Sequence, residues 1–248
     1  MRKVLGAFIA FAAMPVASGY AADMALKAPP AAAAAIYNWT GVYIGGEVGG
    51  GWASGTTTDV DPSGGFPAGF TSQSITRSGV LGGGYAGYNY QINQIVLGID
   101  GNYDWADLTG SGSDVSPTTG NTSVHSAKMK WDAAITGRLG YANNNMLFFV
   151  KGGWAWAGFS ESSTSTTPGG ALFGNSSSSD TRNGGTVGGG IEYGFAPHWS
   201  AKLEYDYVKF RTSNYNASAL SAAGVASTPA KSSASDLNEF KGGVAYRF

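Results

Sequence analysis

Histidine and carboxylate side chains are the candidates for acid–base or metal chemistry in this chain. It contains two histidines, His125 and His198, sixteen Asp and Glu residues, and no cysteine. A serine nucleophile needs a base within hydrogen-bond reach, so a serine triad or a histidine metal site depends on one or both histidines. The lack of cysteine excludes thiol catalysis, cysteine metal sites and a disulfide scaffold. Whether the remaining groups can meet depends on the elements that hold them.

Three glycines, Gly82, Gly84 and Gly87, match the G-x-G-x-x-G pattern of dinucleotide-binding loops. That site requires the motif to end a strand and open a helix, whereas here a two-residue alternation continues through it. The glycines are therefore expected to permit close packing and curvature of a strand. No nucleic-acid partner is expected either, because the formal net charge is −1 and nucleic-acid binding needs a basic surface. The sequence indicates no cofactor.

The first 22 residues have the features of a secretory signal peptide. Arg2 and Lys3 supply a basic start, and an apolar stretch and small residues follow. The apolar stretch is shorter than the roughly 20 residues that a membrane-spanning helix needs. Residues 23–37, rich in proline and alanine, predict a flexible periplasmic lead segment. Residues 38–248 remain as one domain.

From Trp39 onward, apolar and polar residues alternate with a period of two, which predicts strands and not helices. The clearest run covers residues 128–141. The pattern predicts eight strands: Val42–Trp52, Val80–Gln91, Ile95–Leu108, Lys128–Tyr141, Met146–Phe159, Thr186–Phe195, Trp199–Phe210 and Asn238–Phe248.

Short and long connections alternate between these strands. The short ones are tight turns rich in Asn and Pro, at Gln91–Gln94, Ala142–Asn145 and Ala196–His198. The long ones are rich in Ser, Thr and Gly, at Ser54–Ser78, Thr109–Ala127, Ser160–Gly185 and Thr212–Leu237. Bacterial outer-membrane barrels have an even strand number, short periplasmic turns and long external loops. The predicted fold is therefore all-β, an eight-stranded antiparallel transmembrane up-and-down β-barrel with both termini in the periplasm.

The position of the aromatic residues along the barrel axis indicates which face of the barrel contacts lipid. On the apolar face, aromatic residues occur near both strand ends and aliphatic residues lie between them, as interfacial anchoring predicts. A soluble core has no reason to sort side chains by height. The chain is therefore expected in the outer membrane, in contact with lipid and lipopolysaccharide.

The opposite face points into the predicted barrel and carries eight acids and seven bases. These residues are Glu47, Asp100, Asp104, Asp132, Glu192, Glu204, Asp206 and Glu239 with Lys128, Lys130, Arg138, Lys151, Lys202, Lys241 and Arg247. Near balance of charge predicts ion pairing, and an eight-stranded barrel has an interior that side chains nearly fill. No wide channel is expected. The two histidines fall at opposite ends of such a barrel, so no enzyme is expected.

The chain ends with Lys241, Gly243, Tyr246 and Phe248, which form a final strand with terminal aromatic residues. These residues also look like the signal that the outer-membrane barrel assembly machinery recognises. The sequence leaves the oligomeric state open.

Several motifs resemble those of the small Gram-negative outer-membrane immunogenic proteins, a porin-related family similar in architecture to the OmpA and OmpX membrane domains. The motifs are residues 38–46 (Asn-Trp-Thr-Gly-Val-Tyr-Ile-Gly-Gly), Gly82–Gly84, Gly87–Gln91, Asp104–Ala106, Gly242–Val244 and Phe248. The resemblance implies surface exposure, antigenicity and a role in envelope integrity. Some members are reported to pass small solutes or bind haem, so a diffusion porin or a surface ligand binder is the alternative. The family offers no catalytic residue to carry over.

Overall fold

The computed structural model describes residues 37–59, 75–115, 120–216, 218–221, 226–227 and 230–248. The predicted signal peptide and almost all of the lead segment lie outside these residues. Eleven strands occur in the described part: β1 Gly41–Asp59, β2 Ile75–Ile92, β3 Ile95–Val115, β4 Thr122–Asn143, β5 Met146–Thr166, β6 Leu172–Ala196, β7 Trp199–Phe210, β8 Ser213–Asn216, β9 Ser218–Ser221, β10 Ala226–Ser227 and β11 Ala230–Arg247. The same residues include no helix long and apolar enough to cross a membrane.

Eight long strands close into a ring. Each of β1 to β6 pairs with the strand that follows it, β7 pairs with β11, and β11 pairs with β1, all antiparallel. In the closing pair, Tyr43 lies opposite Arg247 and Glu47 lies opposite Gly243. Closure gives each of the eight long strands a partner on both sides over the body of the barrel. The short strands are additions, since β8 pairs with β11, β9 with β6, and β10 with β9. The predicted eight-stranded antiparallel barrel is confirmed.

Three two-residue turns join β2 to β3, β4 to β5 and β6 to β7 at one end of the barrel, here called the short-turn end. They are Asn93–Gln94, Asn144–Asn145 and Pro197–His198. Asn93 and Asn144 each have φ of 53°, a left-handed conformation that Asn tolerates better than most residues. The sequence located these turns correctly.

At the opposite end, here called the long-connection end, the strands continue further than predicted. The segment Ser160–Gly185 was expected to be a loop, but β5 runs to Thr166 and β6 begins at Leu172. Ser160 lies opposite Ser179 in a continuous ladder. Serine-rich composition suggested a loop, but the ladder is built from backbone hydrogen bonds that do not depend on an apolar side chain. The predicted loop Thr109–Ala127 is shortened in the same way.

The exterior of the barrel is apolar across its middle. Val48, Ile135 and Val150 are each more than half exposed, and they alternate with buried polar residues on the same strands. Exposed aromatic residues occur toward both ends. Toward the short turns they are Tyr88, Tyr90, Tyr141, Phe148, Tyr193, Phe195, Trp199 and Phe248, and toward the long connections they are Trp52, Tyr103, Trp105, Trp154, Tyr205 and Phe240.

The inward-outward alternation changes phase within β4. Met129 and Asp132 both point into the barrel although they are three residues apart, because β4 contains a bulge. In the pairing of β4 with β5, the register shifts between Met129 and Trp131. In the pairing of β3 with β4, it shifts between Trp105 and Leu108. A bulge adds a residue to one strand and reverses the side-chain phase beyond it.

This bulge corrects the prediction that Lys128 and Lys130 line the interior. Both side chains are exposed on the outside of the barrel. Lys128 Nζ lies 2.8 Å from Asp107 Oδ1, and both groups are well exposed. Met129, expected to face outward, is fully buried inside.

Candidate functional site

Most of the chemistry-bearing side chains meet in the barrel interior, which is divided into four layers. The first two from the short-turn end are the mouth cluster (Tyr37, Trp39, Val96, Ala142 and Leu147) and the charged belt, which is centred on Lys241. Beyond them lie the apolar layer, around Leu108 and Phe159, and the upper ion-pair cluster (Arg77, Glu161, Asp180 and Arg182). Each layer is assembled from several strands.

The mouth cluster is formed by the residues just before β1 and the strand ends around them. Trp39 is fully buried and Tyr37 nearly so. Tyr37 N donates to Asn145 Oδ1 at 3.2 Å, and Trp39 N donates to Gln91 Oε1 at 2.9 Å. Arg247 Nη1 donates to Trp39 O at 2.6 Å. Two hairpins and the last strand therefore hold this segment within the short-turn end. The sequence did not predict this cluster, because Tyr37 was assigned to the flexible lead segment and Trp39 to the alternating pattern of the strands.

The charged belt begins with an arginine–glutamate pair. Arg138 forms an ion pair with Glu192, and both side chains are nearly inaccessible to solvent. Ser200 Oγ donates to the other oxygen of Glu192 at 2.6 Å, and Arg247 lies 3.5 Å from that oxygen. A buried carboxylate with three partners is well compensated. This part of the belt agrees with the predicted pairing of inward charges.

Two tyrosines lie against the inner wall of the belt. Tyr43 OH donates to Asp100 Oδ2 at 2.7 Å, and the Tyr43 and Tyr85 rings meet at 6.2 Å. A Cβ at Gly45 would overlap the Tyr85 ring, and a Cβ at Gly87 would overlap the Tyr43 hydroxyl. The last glycine of the dinucleotide-like pattern therefore provides space for a tyrosine.

Lysines bridge the carboxylates of the rest of the belt. Lys151 Nζ lies 3.0 Å from both Glu204 and Asp206, and Lys202 Nζ lies 2.8 Å from Glu47. Lys241 is the centre of the belt, because its ammonium lies within 4 Å of five carboxylates. They are Glu47, Asp104, Glu204, Asp206 and Glu239.

Thirteen of the fifteen predicted inward charges are buried in the belt. They are Glu47, Asp100, Asp104, Asp132, Arg138, Lys151, Glu192, Lys202, Glu204, Asp206, Glu239, Lys241 and Arg247. With Lys128 and Lys130 outside, eight acids face five bases, an excess of three acids, and the expected near balance is wrong. Within the described part of the chain, Asp132 has no ion pair.

The apolar layer lies above the belt, toward the long connections. Its larger members are Leu81, Leu108, Met129, Phe159, Val208, Phe210 and Leu237, with Ala53, Ala106, Ala155 and Ala157 between them. The rings of Phe159 and Phe210 meet edge to face at 5.5 Å. This layer was not predicted from the sequence, because apolar residues were assigned to the exterior. Apolar residues on both faces of the upper β3 and β5 segments were the available signal.

The upper ion-pair cluster lies beyond the apolar layer. Arg77 and Arg182 both contact Glu161 Oε1, at 3.0 and 2.9 Å, and Arg182 Nε lies 3.3 Å from Asp180. The Arg182 guanidinium also lies over the Phe159 ring. All four charged residues were expected in long connections, because the strands were predicted to end too early.

The two histidines lie at opposite ends of the barrel. His125 Nε2 is 3.4 Å from Asp114 near the long-connection end. His198 is in the β6–β7 turn, with Nδ1 2.8 Å from Arg247 O and its ring stacked on Tyr246. In the part of the chain that the structure describes, no three His, Asp or Glu residues are arranged to hold a metal ion.

The predicted assembly signal is divided between the two faces of β11. Lys241 and Gly243 point inward, whereas Tyr246 and Phe248 point outward. The rings of Tyr246 and Phe248 meet edge to face at 5.1 Å, and Phe248 is 72% exposed. The outward pair is thus the accessible portion of this segment.

Comparisons with known proteins agree with this architecture. The family model described as "Outer membrane protein beta-barrel domain" matches residues 9–248. The chain is 32% identical over 217 residues to the 31 kDa outer-membrane immunogenic protein of Brucella melitensis, covering 84% of this chain and 86% of that protein. It is 30% identical over 179 residues to the 22 kDa outer membrane protein of Rhizobium leguminosarum, covering 72% and 68%.

A solved structure supports the fold. The outer membrane protease OmpT from Escherichia coli aligns with a TM-score of 0.50 and 12% identity, covering 86% of this chain and 98% of OmpT. That likeness concerns architecture alone. On the family match and the immunogenic relatives, this chain belongs to the outer membrane protein beta-barrel domain family, and its location is the outer membrane.

Proposed function

We propose that this protein is a structural component and surface antigen of the outer membrane, with a closed interior and no catalytic role. In this proposal, the long connections face the cell exterior, and the short turns and both termini face the periplasm. The apolar layer is the observation that carries the proposal. Seven of the eight long strands contribute its eleven buried apolar side chains.

An ion that crosses this layer would lose hydration and would gain few polar partners in return. Removing an ion from water costs several kcal/mol even after relaxation, and hydrophobic constrictions are known to block conduction by dewetting. The charged belt and the mouth cluster narrow the same path from the other side. Transport through the interior is therefore not expected to be the main role.

Liposome swelling tests the closed interior. Vesicles with the refolded protein should swell in an isosmotic solution of a small sugar no faster than protein-free vesicles. A recognised diffusion porin serves as the positive control. Rapid swelling that scales with protein content would refute the closed interior.

Cells test the structural role. Deletion of the gene should sensitise cells to detergents and to large hydrophobic antibiotics, and expression of the intact chain should restore resistance. An unchanged sensitivity profile would contradict this role. For the antigen role, antibodies raised against residues 162–179, the end of the β5–β6 hairpin, should bind intact cells.

A small-cation pore is the second candidate. It is favoured by the three excess acids in the belt, because fixed negative charge attracts cations into a lumen. The apolar layer opposes it. Liposome swelling does not measure ion currents, so a conductance measurement is needed to distinguish a small-cation pore from a closed interior.

A further inference from the structure

Within the side chains that the structure describes, exposed cations occur on one part of the barrel exterior. Among the residues whose side chains the structure describes, the exposed lysines and arginines are Lys128 and Lys130 on β4, Lys209 on β7 and Arg211 just after β7. The other described lysines and arginines are buried in the interior. The exteriors of β1, β2, β3 and β11 therefore present no exposed cation within the described side chains.

These cations lie next to tryptophans on the long-connection side of the apolar band. The Arg211 guanidinium is 5.7 Å from the centre of the Trp154 ring. Lys130 precedes Trp131 on β4, and because β4 begins at the long-connection end, Lys130 lies on that side of Trp131. Tryptophan marks the boundary between hydrocarbon and headgroups. The cations therefore lie at headgroup level.

The strands between these cations present a polar surface. β4 and β7 are separated by β5 and β6, so the cations span about three strand spacings, or about 14 Å. Ser162, Ser179 and Thr181 are exposed on the intervening strands. The surface thus combines cations at its edges with hydroxyl groups at its centre.

Three of these four cations form no ion pair within the described residues, although Lys209 lies opposite Asp236 on β11. Lys128 pairs with Asp107, but within the described residues Lys130 and Lys209 have no ion pair, and the contact given for Arg211 is the Trp154 ring. Three cations are therefore available to an anionic group. Because they are exposed, they bind without a large desolvation cost.

We propose that this outer wall, the exterior of β4 to β7 beside Trp131 and Trp154, binds the phosphorylated sugar headgroup of an outer-leaflet glycolipid such as lipopolysaccharide. The acyl chains would lie against the apolar band below the tryptophans. Lys130, Lys209 and Arg211 bind the phosphates through charge-assisted hydrogen bonds, and the serine and threonine hydroxyls contact the sugars. This inference uses the proposed orientation of the barrel but not its closed interior.

Binding to the refolded protein in detergent micelles tests this inference independently of orientation and conductance. Tryptophan fluorescence and native mass spectrometry would follow titration with purified bisphosphorylated lipid A, with its dephosphorylated form, and with phosphatidylglycerol at matched charge. The intact chain should bind the bisphosphorylated lipid at least about tenfold more tightly than the other two, because several cations act together.

A triple variant, Lys130→Gln, Lys209→Gln and Arg211→Gln, should lose about tenfold or more of this affinity. A matched control changes the net charge by the same amount as the triple variant, but on the exposed exterior of β1 and β2. It combines Ser54→Glu, Thr76→Glu and Ser78→Glu. It should retain affinity near that of the intact chain. Heat-modifiable gel migration confirms that each variant is folded.

Two results would overturn the proposal. One is equal affinity of the folded triple variant and the intact chain for bisphosphorylated lipid A. The other is equal affinity of the intact chain for lipid A and phosphatidylglycerol, which would show a general attraction to anionic lipid.

Discussion

Lys241 on β11 places its ammonium 3.1 Å from the Asp206 carboxylate on the neighbouring strand β7. The same ammonium lies 3.2 Å from Glu239 and 3.5 Å from Asp104. Because the belt contains more acids than bases, one lysine compensates several carboxylates that have few other partners.

Replacement of Lys241 by methionine should destabilise the barrel strongly. The substitution retains the length of the side chain but leaves buried carboxylates uncompensated, for which a loss of about 3–5 kcal/mol is typical. Urea unfolding in micelles measures the change. Lys209→Met, at an exposed position, should change stability by about 1 kcal/mol or less. Similar losses for both variants would show that Lys241 is not the centre of the belt.

The exterior should tolerate arginine according to depth. Ile135→Arg and Leu203→Arg place a charge in the apolar band and should cost about 2–4 kcal/mol, whereas Tyr88→Arg near the short turns should cost about 0–1 kcal/mol. Folding yield and unfolding free energy in lipid vesicles measure the difference. Equal tolerance at the three positions would mean that this face does not contact hydrocarbon.

Single cysteines should report the orientation, because the chain has no native cysteine. Ala171→Cys, in the β5–β6 connection, should react with an impermeant thiol reagent on intact cells. Gln94→Cys and Pro197→Cys, in the short turns, should react only after the outer membrane is permeabilised. Labelling of the short-turn cysteines on intact cells would reverse the topology.

Deletion of Phe248 should separate assembly from stability. We propose that the barrel assembly machinery reads this terminal aromatic residue. Loss of one interfacial phenylalanine should cost at most a few kcal/mol, so the purified variant should still refold in detergent. In cells it should accumulate in the periplasm and be degraded. Normal insertion of the variant in cells would refute the proposal that the machinery reads Phe248. Failure to refold in vitro would show that Phe248 acts through stability alone.

The sequence predicted the features that repeat along the chain. A two-residue period located all eight long strands, and Asn-rich pairs such as Asn144–Asn145 located the turns. It failed where the repeat breaks. One extra residue near Lys130 reversed the side-chain phase, and no local composition marks such a bulge.

Two further features depend on tertiary contacts. Trp39 enters the short-turn end because Gln91 and Arg247 bind its backbone, and these partners lie far apart in sequence. The serine-rich ends of β5 and β6 are strands because they pair with each other, although their composition is typical of loops. The excess of acids in the belt was missed because the bulge was not predicted, so Lys128 and Lys130 were counted among the inward charges.

Single-channel conductance of the refolded protein in a planar bilayer tests the closed interior most directly. Eleven buried apolar side chains form a layer inside the barrel, and on the proposed closed interior we expect no stable conductance steps from the monomer in concentrated salt. Large, stable, voltage-independent steps from the monomer would contradict this account.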